Sequence, residues 1–120
     1  MSYIFYNKRG SLIAYTEDNC HIFRFSGEPL AYINEDSVYT YEGNHLGYYQ
    51  DGWIRDKDGM CIFFTKGAKS GPPRAMQDLG PVKRPKSKIP VKKPREHQLK
   101  KPEIKQFWSE LSSKKFFEQK

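Results

Sequence analysis

A short glycine-centred motif recurs four times in the first 68 residues, and this repeat constrains the fold more than any other feature of the chain. The residue five positions before each motif glycine is apolar, and successive glycines lie 17, 16 and 16 residues apart. A repeat of this length indicates one supersecondary unit that is used four times. The motif reads Gly-x-x-[Ile/Leu]-[Ala/Gly/Phe]-[Tyr/Phe] from Gly10, Gly27, Gly43 and Gly59, and the preceding apolar residues are Phe5, Ile22, Val38 and Ile54.

The composition of each unit predicts a β-hairpin. Its glycine supplies the positive φ that a tight turn needs, and the apolar residue before the turn is expected to face the Ile or Leu after it. The small residue that follows indicates close backbone approach near an axis, whereas Phe63 in the fourth unit predicts a different closure there. Second turns are predicted at 17–19, 35–37 and 51–52, which leaves strands of about five residues.

Four separate hairpins would expose their sheet edges, and an arrangement around an axis removes those edges. We therefore predict an all-β fold of four repeated β-hairpins around a pseudo-fourfold axis, followed by an extended Lys/Pro-rich tail and a short C-terminal helix. The predicted divisions are a four-repeat β domain over 1–68, a basic proline-rich extended arm over 69–102 and a short amphipathic helix over 103–120. Below, residues 69–102 are the basic arm and residues 103–120 the terminal segment.

In its detailed residue pattern the sequence resembles the 4-fold beta flower family. The resemblance extends over residues 3–68, and over the basic arm in composition. It implies the four-hairpin fold, and it implies no activity and no site residues. The residues that carry it are Gly27-Glu28-Pro29-Leu30-Ala31-Tyr32, His45-Leu46-Gly47-Tyr48, Asp51-Gly52-Trp53-Ile54-Arg55-Asp56 and the Pro-, Val- and Lys-rich stretch that follows.

Charge divides the chain near residue 65. Residues 1–64 carry five Lys or Arg and nine Asp or Glu, a formal charge of −4, whereas residues 65–120 carry sixteen and five, a charge of +11. Five prolines between 81 and 102 are incompatible with a helix and predict an extended chain that like charges keep stretched. Twenty such residues reach roughly 60 Å, further than the expected width of the β domain.

The basic arm is the candidate binding site. A run of cations neutralises phosphate groups without reading sequence, so we expect binding to a polyanion, RNA or DNA, with an affinity that falls as salt rises. Two alternatives stay open: the arm docks on its own or a neighbouring acidic β domain, or it only solubilises the chain. The predicted polyanion-binding residues are Lys83, Arg84, Lys86, Lys88, Lys92, Lys93, Arg95, Lys100 and Lys101.

The terminal segment is predicted to form an amphipathic helix. Ile104, Phe107, Trp108 and Leu111 fall at i, i+3, i+4 and i+7, which is the spacing of one helix face. A helix of about four turns is marginal alone and is expected to form by docking. The predicted docking residues are Phe107, Trp108 and Leu111, and the surface beneath them is the chain's own β domain, a second copy or a protein partner.

Catalytic and metal-binding patterns are not found in the sequence. The three histidines have no metal-ligand spacing, and adjacent Cys20 and His21 are expected on opposite faces of a strand. His45, close after a turn glycine, is expected to face solvent. Tyr41, Tyr49 and Trp53 are candidates for stacking on bases, although packing is the more common role of such aromatics in a small domain. We therefore expect no catalytic residue, no metal and no cofactor.

These observations predict a non-catalytic interaction protein that binds a polyanionic partner, most simply nucleic acid. The alternative is a structural or oligomerising protein whose tail docks on its own or a neighbouring β domain. The short apolar runs predict no membrane span, and the absence of a signal-peptide pattern at the N-terminus predicts a cytoplasmic location.

Overall fold

The chain forms a closed antiparallel barrel of eight strands in chain order. The structure is a computed structural model that describes residues 3–96 and 101–119. Consecutive strands pair into four hairpins, β1–β2, β3–β4, β5–β6 and β7–β8, and β8 pairs with β1. The predicted all-β fold of four hairpins is confirmed. The strands are β1 Tyr3–Tyr6, β2 Leu12–Thr16, β3 His21–Phe23, β4 Pro29–Asn34, β5 Ser37–Tyr39, β6 His45–Gln50, β7 Trp53–Arg55 and β8 Cys61–Phe64.

Each hairpin turns at its motif glycine in the same way. The glycine N–H donates to the carbonyl three residues earlier at 2.9–3.1 Å, and the glycine φ lies between 85° and 98°. This is a tight turn followed by a left-handed residue, a combination that glycine adopts without strain. Between hairpins the predicted second turns are also present, with positive φ at Asn19, Glu35, Asp51 and Gly52.

The strand register differs from the prediction by one residue. The apolar residue before each turn lies opposite the small residue of the motif, not the Ile or Leu. A register shift after that apolar residue, found in all four hairpins, leaves the Ile or Leu as an extra residue in its strand. The opposed pairs are Phe5–Ala14, Ile22–Ala31, Val38–Gly47 and Ile54–Phe63.

The side chains of the opposed pairs are fully buried and belong to the central hydrophobic core, and Gly47 is buried beside them. Three of the four pairs combine one large residue with Ala or Gly, so the strands can approach one another around a crowded axis. At Gly47 an added Cβ would lie 2.0 Å from the Arg55 carbonyl oxygen, which explains the smallest residue there. Phe63 breaks this rule, and its ring packs against Phe116 and Phe117 at centroid distances of 5.6 and 5.5 Å.

The C-terminal helix is confirmed, but it is much shorter than the predicted segment 103–120. It spans Ser113–Phe117, and Ser112 caps it by accepting a hydrogen bond from the Lys115 N–H. The preceding residues of the terminal segment are not helical, because they run against the ring and bond to β8. The helix contributes Phe116 and Phe117 to the central core.

In its described part the basic arm runs around the ring, the docked arrangement that the sequence left open as one alternative. It forms neither helix nor strand in its described part, in agreement with its prolines. It passes the first three hairpin turns in chain order, and the terminal segment passes the fourth. Nine extended residues per hairpin span about 28 Å, and four such steps make a circle about 36 Å across. The molecule measures 37 × 36 × 24 Å.

Candidate interaction surface

The backbone of the basic arm docks on the turn glycines at regular steps of nine residues. Carbonyl oxygens of the arm and the terminal segment lie over the four glycines, so close that an added Cβ would approach them within 1.9–2.2 Å. Two residues further along, an N–H donates to the carbonyl of the same glycine at 2.8–3.2 Å. The carbonyls belong to Met76, Pro85, Pro94 and Glu103, and the donors to Asp78, Ser87, Glu96 and Lys105.

Lysines of the arm lie over aromatic rings with the same nine-residue spacing. Each groove between neighbouring hairpins is here called a seam: the first separates hairpins 1 and 2, and the fourth separates hairpins 4 and 1. Lys83, Lys92 and Lys101 lie 4.4, 4.9 and 6.0 Å from the ring centroids of the tyrosines that end the first three motifs. Each contact is a cation–π interaction of about 0.5–1 kcal/mol where it is exposed. Those tyrosines are Tyr15, Tyr32 and Tyr48.

A second pair of cations follows three residues later. Lys86 lies 5.5 Å from the Phe23 ring, and Arg95 lies 5.7 Å from the Tyr39 ring and donates to the Tyr32 hydroxyl. This contact with the phenolic oxygen stabilises the guanidinium and raises the pKa of Arg95. The first and second seams therefore bind the arm in the same way.

Carboxylates of the ring pair with the same cations. Lys83 and Lys86 both reach Glu17, at 3.2 and 2.6 Å, and hydrogen bonds from these two lysines lower the pKa of the Glu17 carboxyl. Lys93 bonds to Glu42 at 2.6 Å, and Lys101 pairs with Asp36. Exposed ion pairs contribute little individually, so the arrangement mainly sets which part of the arm meets which hairpin.

The predicted polyanion-binding residues therefore fall into three groups. Six have side chains that contact the ring, as described above. Arg84 and Lys88 are exposed, and their side chains contact neither a ring nor a carboxylate within the described parts of the chain. Lys100 lies outside the described residues. The six in contact with the ring are Lys83, Lys86, Lys92, Lys93, Arg95 and Lys101.

Of the three predicted docking residues, two contact the chain's own ring. The Trp108 ring lies 5.5 Å from Trp53 and 6.2 Å from Phe64, and its neighbours exchange backbone hydrogen bonds with Cys61. Leu111 packs against the central core, whereas Phe107 remains 66% exposed. The terminal segment thus covers the fourth seam without forming the predicted helix face.

The third seam differs from the other three. The residue four positions before the turn glycine is Tyr6, Phe23 or Tyr39 in three hairpins and Arg55 in the fourth. Arg55 is 3% exposed and donates from Nη1 to the carbonyls of Gly59 and Lys105 at 2.9 and 2.6 Å. This residue was missed as a functional candidate, although its break of the aromatic pattern is visible in the sequence.

The structure also answers the questions of whether His45 faces solvent and whether Tyr41 and Trp53 are available for stacking. His45 does not face solvent: it is 3% exposed, its ring lies between those of Tyr39 and Tyr48, and burial lowers its pKa. Tyr41 and Trp53 are buried in aromatic clusters, so packing is their role in this structure.

Cys20 and His21 are not on opposite faces of a strand, because Cys20 belongs to the turn before β3. The Cys20 Sγ lies 3.9 Å from the His21 Nε2, and the His21 Nδ1 lies 2.7 Å from the Asp18 carboxylate. The carboxylate can only accept a hydrogen bond, so Nδ1 carries the proton of the neutral ring and the Nε2 lone pair is available to the thiol. The described residues contain no cluster of three or more metal-ligating side chains.

The comparisons with known proteins agree with this architecture. The sequence profile of the 4-fold beta flower protein family matches residues 4–117. The chain belongs to the 4-fold beta flower family. In this beta flower protein the family match includes the basic arm and most of the terminal segment. The resemblance noted from the sequence had extended beyond residue 68 only in composition.

No curated protein and no solved structure matches this beta flower chain. Among the residues that the structure describes, none of the helical segments has the length and apolar character needed to cross a membrane.

Proposed function

We propose that this beta flower protein is a non-catalytic interaction protein whose basic arm is a permanent part of the folded unit. One observation carries the proposal: the arm meets three equivalent turn glycines at steps of nine residues, and the terminal segment continues the same step to the fourth. An arm that only tethers the ring to a distant partner would not need to dock on the turn glycines at a fixed nine-residue step. The acidic ring and the basic arm also have complementary charges, as the Glu17 and Glu42 contacts illustrate.

A chain ending at Ala68 tests this proposal. We expect it to lose the cooperative unfolding transition of the full chain, since its seams and turn glycines are then uncovered. Far-ultraviolet circular dichroism during urea unfolding measures the transition, and size-exclusion chromatography reports the oligomeric state of both chains. A truncated chain that unfolds at the same urea concentration as the full chain contradicts the proposal.

Nucleic-acid binding is the second candidate function. It is supported by Arg84 and Lys88, exposed arm cations whose side chains contact neither an aromatic ring nor a carboxylate in the described parts of the chain. Both side chains are exposed, so phosphate groups of RNA or DNA can approach them. We propose that polyanion binding uses these residues first, because the ring already occupies Lys83 and Lys86.

Two double variants with equal charge separate these roles. Arg84→Gln with Lys88→Gln is expected to lower the slope of log affinity against log salt by about 2 on double-stranded DNA. Lys83→Gln with Lys86→Gln removes the same charge and is expected to lower stability more than affinity. Equal effects of both pairs on the salt slope contradict a specific role for the exposed cations.

A protein partner and self-association are proposals of the same kind. Phe107 is the member of the predicted docking set that stays exposed, so it is the residue we propose for such contacts. A cytoplasmic location is likewise proposed, and it suits the two free thiols of Cys20 and Cys61.

A further inference from the structure

The third seam contains a cavity where the other seams contain packed aromatic rings. In the first seam Tyr15, Phe23 and Phe25 stack together, and in the second Tyr32, Tyr39 and Tyr41 do the same. The third seam has Tyr48, but Arg55 and Lys57 replace the two other rings. The cavity has a volume of about 130 Å³ and is lined by Tyr48, Gln50, Arg55, Gly59, the stretch 101–102 and Ile104.

The guanidinium of Arg55 is buried without a compensating anion. It forms no ion pair within residues 3–96 and 101–119, and its Nε has no hydrogen-bond partner there. Its Nη1 bonds only to two backbone carbonyls, which carry no net charge. A buried charge without a partner is costly, so such a group indicates an anion that completes the site.

A second cation stands at the same cavity. Lys101 lines it from the arm side and pairs with Asp36, while its Nζ lies 6.0 Å from the centre of the Tyr48 ring. A volume of about 130 Å³ holds several water molecules at about 30 Å³ each, which is room for one phosphate or sulfate group. An arginine and a lysine together are the side chains that most often bind such groups.

We propose that the third seam binds a single tetrahedral oxoanion, a phosphate or sulfate group, between Arg55 and Lys101. The Arg55 Nε donates to one oxygen of the anion, and the Lys101 ammonium exchanges its pairing with Asp36 for the anion. This site is distinct from the exposed polyanion surface at Arg84 and Lys88, because it is a cavity between hairpins 3 and 4 that the arm borders.

The proposal can be tested by calorimetry. The full chain is titrated with inorganic phosphate, and in separate runs with sulfate and with chloride, all at the same ionic strength. We expect a saturable heat with phosphate and with sulfate and none with chloride. Lys101→Met is expected to weaken phosphate binding about tenfold or more, the effect of losing one charge-assisted contact. The matched control is Lys83→Met. Lys83 occupies the equivalent arm position, where it lies over Tyr15 and pairs with Glu17.

Arg55→Lys adds a second variant that keeps the charge and removes the Nε donor, and it is also expected to weaken binding. If this variant fails to fold, the comparison of the two lysine variants decides. A nucleoside monophosphate is titrated in parallel, and tighter binding than inorganic phosphate identifies the anion as part of a larger ligand. The proposal is overturned if phosphate gives no more heat than chloride, or if Lys83→Met weakens binding as much as Lys101→Met.

Discussion

At the scale of single residues, each turn glycine is needed for two reasons: its positive φ, and the space that a Cβ would take from the arm. Gly27 has a φ of 98°, which disfavours any side chain, and an added Cβ would lie 1.9 Å from the Pro85 carbonyl oxygen. The first role belongs to the hairpin and was predictable from the sequence. The second belongs to the arm, and it links hairpin geometry to arm docking.

Gly27→Ala tests this link. The left-handed conformation alone costs about 1–3 kcal/mol for a residue with a Cβ, and the arm must also move away from Pro85. We therefore expect a lower free energy of unfolding together with faster proteolysis of the arm. Gly67→Ala is the control, because nothing lies within 4 Å of its Cβ position and its φ is not in the left-handed range. Its stability is expected to change by less than about 0.5 kcal/mol. Similar losses in both variants contradict the argument.

The arrangement around Cys20 predicts a selective thiol reaction. Cys20 is partly exposed, and the His21 Nε2 can accept its proton while Asp18 holds the ring in place. Cys61 is fully buried, and burial raises the pKa of its thiol. An aromatic disulfide reagent is therefore expected to modify Cys20 in the native chain and Cys61 only after unfolding. His21→Asn is expected to slow the native reaction, and an unchanged rate contradicts the role of His21.

His45 predicts a loss of stability in mild acid. Burial, and next the nearby positive charge of Lys57, hold its pKa below the ordinary 6.5, whereas Glu96 and Asp36 act in the opposite direction. The unfolded chain then binds the proton more readily, so the free energy of unfolding falls as pH drops below about 6.5 and the contribution is complete above that value. Urea unfolding at pH 8.0 and pH 5.5 measures the difference. His45→Phe is expected to reduce it, and an equal difference in both chains contradicts this assignment.

At the scale of elements, the hairpins were predictable and the docking of the arm was not. Four glycines at regular spacing, each with an apolar residue before it, contain the information for four turns and eight strands. The shifted register was not readable, because it depends on which backbone groups pair, and Ile13 and Ala14 are both compatible with a core position. The nine-residue step is made mainly by backbone carbonyls, and these belong to dissimilar residues such as Met76 and Pro85 of the arm and Glu103 of the terminal segment. Side-chain identity therefore shows little of it. In the sequence the step is visible in the recurrence of Lys83-Arg84-Pro85 as Lys92-Lys93-Pro94, and in the lysine at 101.

The register of the arm can be tested by removing Lys88, whose exposed side chain contacts neither an aromatic ring nor a carboxylate in the described parts of the chain. Deletion of Lys88 moves every later arm residue by one position, so the hydrogen bonds from Lys93 and Glu96 to the third hairpin are lost. With about 1 kcal/mol for each bond and the Glu96 contact to His45, the expected loss is about 3 kcal/mol.

Lys88→Ala is the matched control for the deletion. It removes the same side chain and keeps the register, so its unfolding free energy is expected to stay within about 0.5 kcal/mol of the original. Chemical unfolding of the three chains measures both effects. A deletion that is as stable as the substitution shows that the nine-residue step does not matter.

At the scale of the whole molecule, the chain passes around one axis twice, first as hairpins and then as the arm. The first strand and the C-terminal helix meet in one core, since Phe5 and Phe116 belong to the same buried cluster. A ring of about 65 residues is near the lower limit for an unaided core. Trp108, Leu111 and Phe116 of the terminal segment supply further apolar contacts, and the arm adds backbone hydrogen bonds and cation–π contacts. Residues far apart in sequence therefore stabilise one unit.

Two phenylalanines of the terminal segment test whether this segment stabilises the barrel by completing its core or only covers its surface. Phe116 is fully buried and lies 5.6 Å from the Phe63 ring, whereas Phe107 is 66% exposed. Phe116→Ala removes a ring from a packed interior and is expected to cost about 3–5 kcal/mol of unfolding free energy. Phe107→Ala removes the same atoms from the surface and is expected to cost less than about 1 kcal/mol. If unfolding in urea shows equal stability for the two variants, the barrel is complete without its C-terminal helix, and the last residues of the chain are a surface appendage.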